Sequence, residues 1–242
     1  MRLDKLLSNM GYGSRKEVRQ LLKSGSIRVN GKTVKDAALH VDPYGEEVFV
    51  LGERVLYKEF IYLMMHKPQG VISATEDVRD RTVVDLLDAE HRHFNPFPVG
   101  RLDKDTEGFL LLTNDGKLAH NLLSPKKEVP KTYYAHISGV VTEEDVAKFA
   151  SGVTLEDGYL TKPGKLQILK SAEQSEIELT ITEGKFHQVK RMFEAVGKRV
   201  VYLKRLSMGP LQLDESLPIG AYRELSEGEM NSLLAIGNKE ES

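Results

Sequence analysis

A chain of 242 residues that is 40% apolar is long enough to bury a substantial core, which excludes wholesale disorder and allows a small domain joined to a larger one. With no Cys, disulfides, thiolate metal sites and thiol nucleophiles are excluded, and no run approaches the ~18 apolar residues that a membrane helix needs, so a cytoplasmic protein without a membrane partner is expected. The net charge of -2 hides an uneven distribution: residues 1–35 carry nine bases against two acids and residues 183–205 seven against two, the local footprint of a phosphate-bearing partner.

Leu3, Leu6, Leu7 and Met10 recur at i, i+3, i+4 and i+7, which predicts an amphipathic helix closing at Gly11. Ser14 and Glu17 form a capping box that opens a second helix, with Val18, Leu21 and Leu22 on its apolar face and Gly25 as its stop. On its polar side Arg15, Arg19 and Lys23 fall at i, i+4 and i+8. Such a line of cations has no ion pairing within its own helix, and an external polyanion would relieve its repulsion; a solvated helix face is the plainer alternative. Ile27–Val29, Asn30-Gly31 and Lys32–Val34 then spell a two-residue hairpin, and Val48–Val50 supplies another strand. Arg2-Leu3-Asp4-Lys5, Ser14-Arg15 and Val29-Asn30-Gly31 resemble the S4-type RNA-binding domain, a resemblance that covers residues 1–55. The mostly polar stretch from Gly52 to Glu59 reads as a linker.

From Ile61 the pattern changes to apolar runs split by turns, and a second domain over residues 60–236 is expected. Ile61–Met65, the turn Lys67-Pro68-Gln69-Gly70 and Val71–Ser73 read as strand, turn, strand. Phe109–Leu112, bounded by Gly108 and by Asn114-Asp115-Gly116, reads as a fully buried strand ending in a turn. Thr132–Ser138, Lys165–Lys170 and Glu176–Thr182 follow as strands, the last with Ile177, Leu179 and Ile181 toward one face. Helices are expected to start at Thr142 and Ser226, and another runs from His187 to Val196 with Val189, Met192, Phe193 and Val196 on its apolar side. There is no dinucleotide-binding glycine fingerprint and no Walker loop. The sum is an α+β fold whose second domain holds a largely antiparallel mixed β-sheet flanked by helices and loops.

Asp103 lies in the loop that leads into the buried run at Phe109, with Arg101 and Lys104 beside it. Nearby positive charge offsets the hydration a carboxylate loses in a cleft, so Asp103 can stay ionised there and act as nucleophile or base. Asp103, Asp105, Glu107 and Asp115 could also be solvated turn acids or hard-cation ligands. Their spacing fails the calcium-loop pattern and the interposed Arg and Lys repel a cation, so no metal is expected. The polar side of the His187 helix carries His187, Lys190, Arg191 and Glu194. Lys190 is the positioned cation that Asp103 calls for, and Glu194, one turn along, is its competing partner.

Lys67-Pro68-Gln69-Gly70, Gly100-Arg101-Leu102-Asp103, Lys131-Thr132-Tyr133 and the run Glu183–Met192 occur in the order found in RNA pseudouridine synthases, and the chain resembles the subfamily that modifies ribosomal RNA and carries an S4 domain in front. Thr161-Lys162-Pro163 and Arg191–Gly197 are similar to its RsuA-type, small-subunit (16S) branch. The resemblance implies isomerisation of a uridine to pseudouridine in ribosomal RNA, without a cofactor, by a monomer acting on a small-subunit assembly intermediate. A large-subunit (23S) synthase and a catalytically silent ribosome-assembly protein stay open as alternatives. It further implies that Asp103 is the catalytic aspartate, Tyr133 the active-site tyrosine and Lys190 the basic partner of the aspartate. Leu203 would line the uracil pocket, with Arg101, His187 and Gln188 as further substrate contacts; Arg2, Lys5, Arg15, Lys16, Arg19 and Lys23 would meet RNA. Many relatives carry Arg where this chain has Lys190, which supplies the charge without a bidentate fork.

Overall fold

The computed structural model describes residues 1–237, which cluster into two compact units: residues 1–61 together with 87–96, and residues 62–86 together with the chain from 97 onward. The short segment 87–96 thus belongs with the N-terminal unit, unlike a single cut between 55 and 60.

In the first unit, helices α1 (Leu3–Asn9) and α2 (Arg15–Lys23) pack with a four-stranded sheet of order β2-β1-β3-β4, formed by β1 (Ile27–Val29), β2 (Lys32–Thr33), β3 (Val48–Val50) and β4 (Glu53–Arg54). The capping box forms as expected: the Ser14 amide donates to Glu17 Oε2 at 2.7 Å and the Glu17 amide to Ser14 Oγ at 3.4 Å. Asn30 and Gly31 take φ of +49° and +78°, the left-handed pair that a type I′ hairpin requires. Leu3, Leu6, Leu7, Val18, Leu22, Ile27, Val48 and Val50 make the core. A short helix, α3 (Ala89–Arg92), is followed by His93, whose ring lies against Gly11.

Packing adds a counter-charge here. The Arg15–Arg19–Lys23 line is not free of ion pairing, because the fully buried Asp4 of α1 lies 3.9 Å from Arg19 Nη2. Asp4 also accepts from Arg2 Nε and Nη2 at 3.0 and 2.9 Å, and that bond from Arg2 holds its carboxyl below the usual range. Reading α2 by itself misses a counter-charge that packing supplies from α1. Lys5, Arg15, Lys16 and Lys23 remain exposed.

The second unit is built on a mixed sheet of order β13-β5-β7-β11-β8-β10-β9. Its strands are β5 (Tyr62–Lys67), β6 (Phe97–Pro98), β7 (Glu107–Thr113), β8 (Lys131–Ser138), β9 (Lys165–Lys170), β10 (Gln174–Ile181), β11 (Arg199–Met208), β12 (Leu211–Gln212) and β13 (Tyr222–Glu224). Among the strand pairings of the described residues only β7–β11 is parallel; β6 and β12 pair with β7 and β11. Every residue of β5 and all but the first of β7 are buried or nearly so, because both faces of the sheet are covered there, which is why their sequences read as continuous apolar runs. Toward β8 and β10 the burial alternates, with Tyr133, Ala135, Ile137, Ile177, Leu179 and Ile181 inward, as the period-2 pattern predicts. Helices α4 (Gly116–Leu123), α5 (Glu143–Ser151), α6 (Gln188–Ala195) and α7 (Glu227–Gly237) complete the unit, and the Phe149 and Phe193 rings of α5 and α6 meet at 4.9 Å.

Three elements differ from expectation. Val71–Ser73 is no strand: Ile72 makes a single bridge to Thr82, and Ser73 spends its hydroxyl on the backbone of Leu102 instead of leaving the segment to a ladder. Asn114-Asp115-Gly116 is the start of α4 rather than a free turn, with Asp115 accepting from the Leu118 amide and from Tyr62 Oη, both at 2.9 Å. The long central strand β11 is absent from the expected elements; its Lys and Arg residues break the apolar signal of a strand that runs along β8 with two register shifts and meets β7 at Lys204 and Arg205.

Candidate active site

The loop from Gly100 to Thr106 is held from below by one buried side chain. Lys67 Nζ, at the end of β5, donates to the carbonyls of Pro68, Asp103 and Thr106 at 3.0, 3.0 and 2.9 Å, so all three of its protons are used. Burial pushes this ammonium down to about 8, although Asp103, Asp105 and Glu107 favour its charge. Ser73 clamps Leu102 at both its N–H and its C=O, each at 3.0 Å, and the Gly70 amide donates to the Lys104 carbonyl at 2.7 Å. The backbone of Asp103 is therefore fixed by Lys67 and the residues that follow it, which leaves the carboxylate free to face outward. Sequence reasoning picked out Lys67-Pro68-Gln69-Gly70 without giving Lys67 this task; the available signal was a lysine ending an otherwise apolar strand.

The cation comes from α6. Val189, Met192 and Phe193 bury one side of that helix, and Lys190 on the other side reaches Asp103 Oδ2 at 3.0 Å and Asp105 Oδ1 at 2.7 Å. Burial opposes the charge of Lys190, but hydrogen bonds to Asp105 and Asp103 outweigh it and hold the ammonium above its usual value. Asp105 is likewise kept below the ordinary carboxylate range by Lys190 despite its own desolvation. A point charge with three donors serves two separate carboxylates here, an arrangement for which a planar fork is not needed. Glu194 does not take Lys190. Lys104, expected to help Asp103, pairs with Asp80 at 2.6 Å instead.

His187 stands at the start of α6 with φ of +48°, which turns its ring toward the loop; Nε2 is 3.5 Å from Asp103 Oδ1. Gln188 is buried and its amide is committed locally, donating to Glu183 Oε1 at 2.7 Å and accepting from the Lys185 amide at 2.8 Å. It shapes the 183–188 turn that carries His187 rather than presenting a free polar group.

Beside this pair lies a cavity of about 120 Å³, several times the ~10–15 Å³ that one water needs. Asp103, Lys190, His187, Gln188 and Arg101 border it from the loop and α6; Tyr133 of β8 and Leu203 of β11 border it from the sheet. Tyr133 is 8% and Leu203 5% exposed, an aromatic and an aliphatic wall suited to a flat ring. Lys131, Thr106 and Arg205 also border the cavity and were not singled out as site residues from sequence. Asp115, a candidate metal ligand by composition, is spent on the α4 cap; among the described residues no group of three or more His, Asp or Glu is placed to hold a metal ion. A carboxylate, a fixed counter-cation and an apolar slot together can stabilise positive charge that develops on a sugar carbon while its base occupies the slot.

Proteins of similar sequence and fold place the chain in a family. The family model for RNA pseudouridylate synthase matches residues 61–195, and that for the S4 domain matches residues 1–48. An uncharacterized RNA pseudouridine synthase of Bacillus subtilis is 61% identical, covering 96% of this chain and 98% of its own. Ribosomal large subunit pseudouridine synthase B of the same organism is 40% identical (98% and 97% covered), and ribosomal small subunit pseudouridine synthase A of Vibrio cholerae is also 40% identical (96% and 99%). A crystal structure of a pseudouridylate synthase superposes with a TM-score of 0.67 at 35% identity, over 96% of this chain and 99% of that one. With an S4 domain ahead of the domain that carries its half-buried carboxylate–lysine pair, this chain belongs to the RNA pseudouridylate synthase family.

Proposed function

We propose that the chain isomerises a uridine of ribosomal RNA to pseudouridine, with Asp103 as the group that acts at C1′, Lys190 as its counter-ion and Tyr133 and Leu203 as the walls that receive the base. The observation that carries this reading is the 3.0 Å contact of Lys190 with Asp103 at the edge of the cavity lined by Tyr133 and Leu203. Breaking the N1–C1′ bond builds positive character at C1′, which an adjacent carboxylate offsets by charge, by attack, or by taking a neighbouring sugar proton. A uracil inside folded RNA has to be everted to reach the cavity, and the Tyr133 ring offers a face on which it regains stacking. His187 and Arg101 at the rim suit contacts to the sugar-phosphate backbone, and the exposed Lys5, Arg15, Lys16 and Lys23 of the S4 domain suit phosphates farther along the RNA. The same proposal takes the protein to be a cytoplasmic monomer whose substrate is a small-subunit assembly intermediate; among the described residues no helix is long and apolar enough to cross a membrane.

Asp103→Asn tests the chemistry. Lys67 holds the backbone carbonyl of residue 103, not its side chain, and Lys190 keeps Asp105, so the loop should persist. Tritium release from 5-tritiated uridine in ribosomal RNA should vanish while RNA binding stays near normal; retained release removes Asp103 from the mechanism. Two relatives of equal identity bear different subunit names, and carbodiimide mapping of pseudouridines in 16S and 23S RNA from a deletion strain tells the targets apart. An unchanged map in both would favour the silent assembly protein.

A further inference from the structure

The floor of the cavity holds more positive charge than the carboxylate–lysine pair accounts for. Arg205, 2% exposed, donates through Nε to the Phe109 carbonyl at 2.9 Å, yet its buried Nη2 has no partner, and neither has the buried hydroxyl of Thr106. Lys131, 8% exposed on the neighbouring strand, donates to the Val129 carbonyl at 3.0 Å, and burial together with the Arg205 charge pushes its ammonium down to about 8. All three residues border the cavity. The carboxylates of the site are engaged elsewhere, Asp103 and Asp105 with Lys190, and Glu107 with Tyr202 Oη at 2.7 Å. Two adjacent cations kept dry with donors unspent are costly unless an electron-rich ligand completes them.

We propose that Arg205 and Lys131, with the Thr106 hydroxyl, hold the detached uracil ring as its anion, and are therefore substrate-contacting residues of the isomerisation; the inference rests on the function proposed above. When N1–C1′ breaks, the bonding pair stays with the ring and spreads over N1, O2 and O4, while the sugar carries the matching positive charge beside Asp103. The ring then has to turn until C5 faces C1′. Because its charge is shared between carbonyl oxygens on either side, a pair of cations grips it in both orientations. C5 supplies the electron pair for the new bond to C1′, its proton leaves to a base, and N1 takes up a proton, so composition and oxidation state are unchanged.

The test uses the full chain and 5-nitrouracil, whose ring anion absorbs at longer wavelength than the neutral ring. Bound to the unaltered protein, the ligand should keep the anion spectrum to a pH at least one unit below that at which the free ligand loses it, an anion preference of about tenfold or more. Lys131→Met and Arg205→Met should each remove most of that shift, and Arg205→Lys should retain part of it, with circular dichroism and thermal unfolding reporting the fold of each variant. A bound ligand that titrates like the free one, or no binding at all, overturns the proposal on the unaltered chain, whatever the variants do. Tritium release by the same preparation separates the two claims. Release without anion preference overturns the cationic floor alone, whereas absence of release from every ribosomal RNA overturns the isomerase reading and the floor with it.

Discussion

Lys67 shows how much of the geometry of the Asp103 carboxylate is decided by a residue that does not touch that carboxylate. Its ammonium ties two carbonyls of the loop, those of Asp103 and Thr106, to that of Pro68, so Asp103 is presented by backbone held in place rather than by side-chain packing. Lys67→Met keeps the length of the side chain and removes every donor. The Pro68 and Thr106 carbonyls would then lose this donor in a place that water reaches poorly, while the Asp103 carbonyl keeps the Thr106 amide at 3.0 Å; at ~1–3 kcal/mol for each group left unsatisfied, offset in part by the relief of a buried charge, a net loss of roughly 2 kcal/mol is expected. Chemical denaturation should show that loss, and tritium release should fall even at temperatures where the variant is fully folded. A variant with unchanged stability and activity would mean that the loop is held by Ser73 and Gly70 without Lys67.

At the scale of elements, the parallel junction of β7 and β11 brings the strand with Leu203 and Arg205 against the strand that follows the Asp103 loop. Gly108 makes that approach possible: it takes φ of +107°, and a Cβ there would lie 2.2 Å from the Arg205 carbonyl oxygen and 2.7 Å from its amide nitrogen. Backbone cannot step aside as a flexible side chain can, so Gly108→Ala should destabilise the fold by about 2–4 kcal/mol. Thermal unfolding of this variant beside Gly70→Ala, where a Cβ meets nothing within 4 Å, isolates the clash from the cost of a positive φ. The C-terminal helix α7 is tied in differently, by Arg223, which grips both carboxylate oxygens of Glu229 at 2.8 Å and reaches Asp214 at 2.8 Å. Arg223 holds Glu229 at about 2, and the Ser216 hydroxyl together with Arg223 holds Asp214 at about 2, against ordinary values of 4.5 and 3.8. Both folded values lie below the unfolded ones, so the native state binds fewer protons in between; the contribution is complete above pH ~5 and disappears as pH falls toward 2. The difference in Tm between the natural chain and Arg223→Met should therefore be greatest near neutrality and close on acidification. A difference that persists at pH 2 would assign the effect to packing of the Arg223 stem.

At the scale of the whole molecule, the chain forms two units with separate cores, and the function proposed above gives phosphate contacts to the first and the nucleoside site to the second. Replacing Arg15, Arg19 and Lys23 together by Ala should weaken RNA binding and flatten its salt dependence. Arg19 is already shared with Asp4, so the change expected is that of two free phosphate contacts rather than three, a slope lower by roughly 1.4–1.8. Titrations of RNA binding at several salt concentrations measure this directly, and an unchanged slope would make the line ordinary solvated surface. The catalytic unit should be unaffected, with tritium release at saturating RNA close to that of the natural chain.

Apart from the roles of Asp103 and Lys190, which the resemblance in motif order implied, what could be read from the chain alone was whatever local physics dictates: the capping box at Ser14, the Asn30-Gly31 hairpin, the buried run at Phe109 and the alternation in β10. Each is a property of a few consecutive residues or of a helical or two-residue period, and needs no partner to be visible. Tertiary structure decided the rest. Lys67 under the loop, Ser73 turned from strand to clamp, Asp115 met by the Tyr62 hydroxyl, Asp4 set against Arg19, and the cations Lys131 and Arg205 brought together by the register of β8 with β11 all join residues separated along the sequence. A charge's meaning depends on what is packed against it, and that is set by the pairing of strands and helices, not by its immediate neighbours along the chain.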